Sequence, residues 1–187
     1  FISARHAERE YDSNSDVFVV SAEGGDPRPV TDSNGGCATP VWSPDGQSIA
    51  YLARVLRPNG HTAWEVHVLA LDGSSDDVIY TAPDWFSGGW DVRNLWGWSP
   101  DGQWLLVRTN GSYGDRLRRL KTDGSGVIEL IGSDENGQGY GAASYSPDGS
   151  QIVFARRPGA GGPTPNSLEI QPAPWSIWIA DVATGTA

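Results

Sequence analysis

Methionine is absent from the 187 residues, and cysteine occurs once, as Cys37. A single thiol cannot close an intrachain disulfide, so this is not a disulfide-stapled scaffold. One cysteine suits the cytosol or a bacterial periplasm and does not choose between them. A catalytic thiol needs a base, and His6, His61 and His67 show no signature that pairs one of them with Cys37. Cys37 therefore reads as a structural or incidental thiol. Basic residues are scarce: 13 Lys and Arg stand against 23 Asp and Glu, for a net charge of -10. That balance argues against DNA, RNA or an anionic membrane surface as partner. No apolar run approaches the roughly 20 residues needed to span a bilayer as a helix, so no membrane insertion is expected. Nothing reads as a long amphipathic helix. With neither a methionine nor a signal peptide, the chain reads as cut from something longer.

What is abundant points to turns and short strands. The chain has 24 Gly, 13 Pro and 9 Trp, the composition of tight turns joining aromatic-rich strands. Hydrophobic residues at 38% and charged residues at 19% describe a folded chain with a core, not a disordered one.

The tetrapeptide Ser-Pro-Asp-Gly occurs three times, at Ser43–Gly46, Ser99–Gly102 and Ser146–Gly149. Its glycines are 56 and then 47 positions apart (46 to 102, 102 to 149). Proline presets φ for a type I turn, aspartate bonds to nearby backbone, and glycine takes the positive φ that closes a bulged hairpin. Trp42, Trp98 and Tyr145 precede the turns. The runs Ile49–Leu52, Leu105–Val107 and Ile152–Phe154 follow them. These runs do not alternate apolar with polar, so both faces of each strand should be covered.

A second turn recurs after strands predicted at Val17–Ala22, Val66–Leu71, Leu117–Lys121 and Ile177–Val182. Its glycines are Gly24, Gly73, Gly124 and Gly185. Short strands follow in three cases, at Arg28–Thr31, Val78–Thr81 and Val127–Ile131. Each unit thus holds up to four strands in series. Stacked four-stranded antiparallel sheets of about 40–50 residues are the blades of a β-propeller. A Greek-key sandwich does not explain why one turn recurs at blade-length spacing. The fold expected is all-β: a partial β-propeller of about four four-stranded antiparallel blades, the first and last incomplete. The blades fall at about 1–34, 35–84, 85–134 and 135–187 of a single propeller fragment, with three, four, four and three strands.

The segments WSPDGQSIAYLA, WSPDGQWLLV and YSPDGSQIVFA resemble the repeat of TolB-type β-propellers. SDVFVVSAEGGDPRPVT and SIWIADVATG are similar to its third strand and turn, so the resemblance covers nearly the whole chain. The motif specifies the blade and says little about function. The resemblance implies one of two roles. The first is a non-catalytic scaffold that binds a protein or peptide, in a bacterial periplasm or outside the cell. The second is part of the gating propeller of a prolyl-oligopeptidase-like serine peptidase, cytoplasmic, with catalysis in another domain. It also implies a ring of six or seven blades, so the remaining blades of the same propeller are expected partners. The terminal sheets should then expose apolar faces that bind a hydrophobic dye or drive oligomerisation.

Long connections are where binding residues concentrate. Ala82–Asn94 carries Asp84, Trp85, Phe86, Trp90, Asp91 and Arg93. These read as a partner-binding patch, or as rings packed over the blade edges. Arg157–Trp175, rich in Gly and Pro, reads as a flap that contacts a partner or as a tolerated insertion. Asp12, Asn14, Asp16 and Glu23 stand at calcium-loop spacings. However, Val17 occupies the position that needs glycine, so a hairpin tip is expected instead of a metal site. Asn110–Gly114 is a similar tip without a metal pattern. Arg118 and Arg119 interrupt a strand and should be paired or reach its edge, with a structural ion pair favoured over an anion site.

Hydrolytic motifs are missing: there is no Gly-x-Ser-x-Gly elbow, no His-Glu-x-x-His and no phosphate-binding loop. A glycosidase carboxylate pair needs only proximity in space, so the sequence leaves it open. No catalytic residue, cofactor or metal is assigned.

Overall fold

The three Ser-Pro-Asp-Gly turns close in the same way in the computed structural model. It describes residues 2–3, 15–32, 35–58, 60–81, 92–111, 114–132, 139–157 and 175–183. In the first turn the Ser43 hydroxyl donates to Asp45 Oδ1 (2.6 Å), and the Gln47 N–H donates to the same oxygen (3.0 Å). The Ser48 N–H returns to Ser43 Oγ at 2.9 Å, which starts the next strand. Gly46, Gly102 and Gly149 lie at φ 70°, 71° and 75°, where a Cβ is disfavoured. The turn residues thus supply the local hydrogen bonds that the backbone cannot make in a hairpin.

No helix occurs among the described residues. The chain divides into two compact units, Phe1–Asp91 and Val92–Ala187. The first holds a three-stranded sheet of β1 (Ile2–Ser3), β2 (Asp16–Val19) and β3 (Arg28–Pro29), in that order. Beside it β4 (Cys37–Trp42), β5 (Ser48–Leu56), β6 (Thr62–Ala70) and β7 (Asp76–Thr81) pair antiparallel in chain order. Val17, Cys37, Ile49, Tyr51 and Ala53 are buried together, with Val19, Val30, Leu69 and Leu71 packed around them.

The second unit repeats the plan. Here β8 (Val92–Trp98), β9 (Trp104–Gly111), β10 (Gly114–Lys121) and β11 (Val127–Ile131) form one antiparallel sheet. The strands β12 (Gly139–Tyr145), β13 (Gln151–Arg157) and β14 (Ser176–Asp181) form the other. Leu106, Leu117, Leu130, Tyr140, Ala143, Ile152, Phe154 and Ala180 make its core. The Tyr140 and Phe154 rings meet edge to face at 5.8 Å.

Three details depart from the sequence-based expectation. The run Ile49–Ala53 is buried throughout, and so is Leu105–Val107, as two covered faces require. In β13 only Ile152 and Phe154 are buried, while Val153 is 41% exposed. Its face continues onto Ile179 and Ile177 of β14, also exposed, so one side of this sheet is uncovered among the described residues. Strand limits also shift. The strand expected over Val17–Ala22 ends at Val19, because the chain turns with Gly24 N–H bonded to Ser21 O. The strand expected from Val66 starts at Thr62, as the β5–β6 pairing runs on to Leu56. Finally, β4 and β12 each carry a register shift, at Ala38/Val41 and Tyr140/Ala143, and β8 carries two, at Val92/Asn94 and Leu95/Gly97. Thr39 takes a left-handed φ of 47° in the first of these bulges.

Candidate functional site

A cleft of about 640 Å³ lies in the first unit along β5, lined by the side chains of Tyr51, His67 and Asp76 at one end. Tyr51 on β5 and His67 on β6 are direct register partners, with ring centroids 5.0 Å apart. Asp76 opens β7. It pairs with Leu69, two residues along β6 from His67, and reaches both rings. The Tyr51 hydroxyl donates to Asp76 Oδ2 at 2.7 Å. His67 Nδ1 lies 3.2 Å from Asp76 Oδ1, and because a carboxylate oxygen accepts, Nδ1 is the donor. On the far side, His67 Nε2 is 3.4 Å from Glu65 Oε2 without hydrogen-bond geometry.

Electrostatics fix the role of the tyrosine. Burial pushes the Tyr51 hydroxyl well above its usual pKa, and the hydrogen bond and charge of Asp76 push the same way. Tyr51 therefore remains an O–H donor and does not serve as a base. The result is a carboxylate oriented by two donors, with its own side chain 42% exposed. Ala53, Val55 and Leu56 give the cleft an apolar wall, and Asp32, Arg54, Thr62 and Gly35 complete its lining. This arrangement offers a doubly hydrogen-bonded carboxylate beside apolar side chains. Among the described residues no group of three or more His, Cys, Asp or Glu side chains is placed to hold a metal ion.

Asp84, Trp85, Phe86, Trp90 and Asp91 lie outside the described residues, as do Asp12 and Asn14. Arg93 is exposed on β8. Asp16 Oδ1 accepts from the Thr31 hydroxyl at 3.0 Å, and Ser15 Oγ donates to the Cys37 carbonyl at 2.8 Å, so both are tied into the sheet contacts. Cys37 is buried, with Sγ 3.7 Å from Thr31 Oγ1. Of the arginine pair, Arg118 Nε meets Glu129 Oε2 at 3.5 Å, the ion pair expected. Arg119 instead stacks over the Trp104 ring at 4.2 Å. It lines a small cavity of about 120 Å³ with Tyr145, Asp101 and Asp148. Burial pushes the Tyr145 hydroxyl up to about 12. Within the long connection after β13, residues 158–174 lie outside the described residues, and Arg157 sits 5.5 Å over the Trp175 ring.

Sequence reasoning missed the Tyr51–His67–Asp76 group, although a signal was there. Counted from the Ser-Pro-Asp-Gly turn, Tyr51 occupies the position of Val107 and Phe154. A hydroxyl in a core position of one repeat and not of the others calls for a partner.

No family model matches the chain. It is 31% identical over 149 residues to an uncharacterized peptidase, YuxL, of Bacillus subtilis, which covers 80% of this chain and 19% of that protein. Among solved structures, a TolB candidate protein from Agrobacterium tumefaciens superposes with a TM-score of 0.66 at 20% identity, over 93% of this chain and 55% of that one. The β-propeller domain of the Trilobed protease from Pyrococcus furiosus superposes with a TM-score of 0.53 at 18% identity, over 88% and 45%. The chain thus spans about a fifth of the curated relative and about half of each of these structures. The structural likenesses establish the fold as a partial, all-β propeller.

Proposed function

We propose that the chain is a non-catalytic propeller scaffold of TolB type that engages a protein or peptide. The observation that carries this reading is the cleft of the first unit. It presents an oriented carboxylate and an apolar wall, with a tyrosine locked as a donor. Such a site is built to recognise a ligand by one fixed polar group and an apolar surface. The loop aromatics Trp85, Phe86 and Trp90, with Asp84, Asp91 and Arg93, are proposed as a further contact patch. Replacing two of these three rings by alanine is expected to weaken partner binding by about 2 kcal/mol with the melting temperature unchanged. A lowered melting temperature assigns the rings to packing instead. A periplasmic or extracellular location goes with this reading.

A second reading is favoured by the 31% identity to a peptidase. In it the chain is part of a gating propeller that restricts access to a serine-peptidase domain elsewhere in the polypeptide, in the cytoplasm. Sequencing the gene outward from both ends separates the two. An export signal upstream and no hydrolase downstream supports the scaffold. A downstream α/β-hydrolase segment with a Gly-x-Ser-x-Gly elbow overturns it in favour of the gate.

A further inference from the structure

We infer that the cleft at Tyr51, His67 and Asp76 takes the cationic side chain of a lysine or arginine presented by a peptide or protein partner. The inference rests on the binding-scaffold reading and names the chemistry that the cleft selects. An ionised carboxylate offers about four lone-pair sites. In Asp76 one site on each oxygen is taken: Oδ2 by the Tyr51 hydroxyl and Oδ1 by His67 Nδ1. One site per oxygen remains, and the side chain is 42% exposed. A carboxylate held in that way accepts an ammonium at one oxygen or a guanidinium fork across both. Its two protein donors fix its plane, so little ordering is left for the ligand to impose.

The charges agree. Asp32 and Asp76 are the carboxylates of the lining, and Arg54 is its arginine. Glu65 lies just behind His67 and adds to the negative side. The chain as a whole carries -10, a field that draws cations toward it and repels acidic ligands. The walls agree as well. Ala53, Val55 and Leu56 of β5 also line the cleft, and Leu56 is 75% exposed. Lysine and arginine both carry an aliphatic stem that gains by lying on such a surface while the charged head reaches a carboxylate. A cleft of about 640 Å³ accommodates one such side chain with its flanking backbone.

The test is calorimetric titration of the 187-residue chain with four capped pentapeptides that differ only in a central lysine, arginine, norleucine or glutamate. Lysine or arginine is expected to bind at least about tenfold more tightly than norleucine, with the preference shrinking at about 0.5 M salt. Asp76→Asn should abolish that preference, and Leu56→Ser should weaken the lysine and norleucine peptides together. Equal binding of lysine and norleucine by the unaltered chain overturns the inference and leaves the scaffold reading standing. A lysine preference that survives in a folded Asp76→Asn variant also overturns it. Failure of all four peptides to bind overturns the inference and the cleft-based scaffold reading together.

Discussion

Each Ser-Pro-Asp-Gly turn rests on one hydroxyl that does two jobs. Ser99 is 5% exposed; its Oγ donates to Asp101 Oδ1 and accepts the Trp104 N–H at 3.0 Å. Ser99→Ala leaves that N–H without its acceptor and removes a donor from the carboxylate. The expected cost is about 1–2 kcal/mol in urea unfolding; a change below about 0.3 kcal/mol would show that solvent replaces both bonds. The carboxylate of the same motif adds a pH dependence. The Ser146 hydroxyl, then the N–H and hydroxyl of Ser150, lower Asp148 from an ordinary 3.8 to about 2. Asp45 and Asp101 shift the same way, led by Ser43 and Ser99. A carboxylate whose folded pKa lies below its unfolded one stabilises the fold above the unfolded value, and that contribution is lost as pH falls through the folded one. Unfolding midpoints should therefore drop between about pH 4 and pH 2. Asp148→Asn should be less stable at neutral pH and show a shallower drop through that window, read by thermal melts across the range.

Between turn and sheet, backbone proximity decides what side chains are allowed. Gly35 shows this most directly: a Cβ there would collide with the Arg54 carbonyl oxygen. The chain is held that close because Gly36 O accepts the Arg54 N–H at 2.9 Å and Cys37 N–H reaches Ser15 O at 2.7 Å. Gly35→Ala must break one of these contacts or push β5 aside, and should cost more than about 2 kcal/mol of stability by urea titration. The turns and most strands were legible in the sequence because each needs a residue type that few alternatives satisfy: proline and glycine at fixed φ, aspartate as a local acceptor. The bulges at Ala38/Val41 and Tyr140/Ala143 were not, since Thr39 at φ 47° is not a residue type that announces a left-handed backbone. The cleft was hidden for a related reason. Asp76 meets Tyr51 across two strand pairings, through the β5–β6 register and the tight turn that pairs Leu69 with Asp76, and a contact set by two pairings leaves no trace in composition or spacing. Arg119 was half legible. Its place on the strand was clear, but among the described residues its contact proved to be the Trp104 ring and not an acid.

The repeat as a set depends on sheets covering one another, and the last sheet tests that dependence. Leu105, Leu106 and Val107 on β9 are all fully buried. On β13 and β14, Val153 pairs with Ile179 and Ala155 with Ile177, and the three large side chains are 41%, 58% and 73% exposed. Three adjacent branched aliphatics on a flat sheet face form an apolar surface that a soluble monomer rarely leaves open. Burying it against a partner surface would stabilise by about 25 cal/mol per Å² of apolar area removed from water. The 187-residue chain is therefore expected to brighten a hydrophobic dye or to self-associate as concentration rises, read by dye fluorescence and light scattering. Ile177→Lys with Ile179→Lys should remove both behaviours. Both positions are exposed, so that double variant should keep its melting temperature to within a few degrees. A dye-silent monomer with the native isoleucines would mean that this face is covered from within the chain, and the repeat would then close on itself without a further sheet.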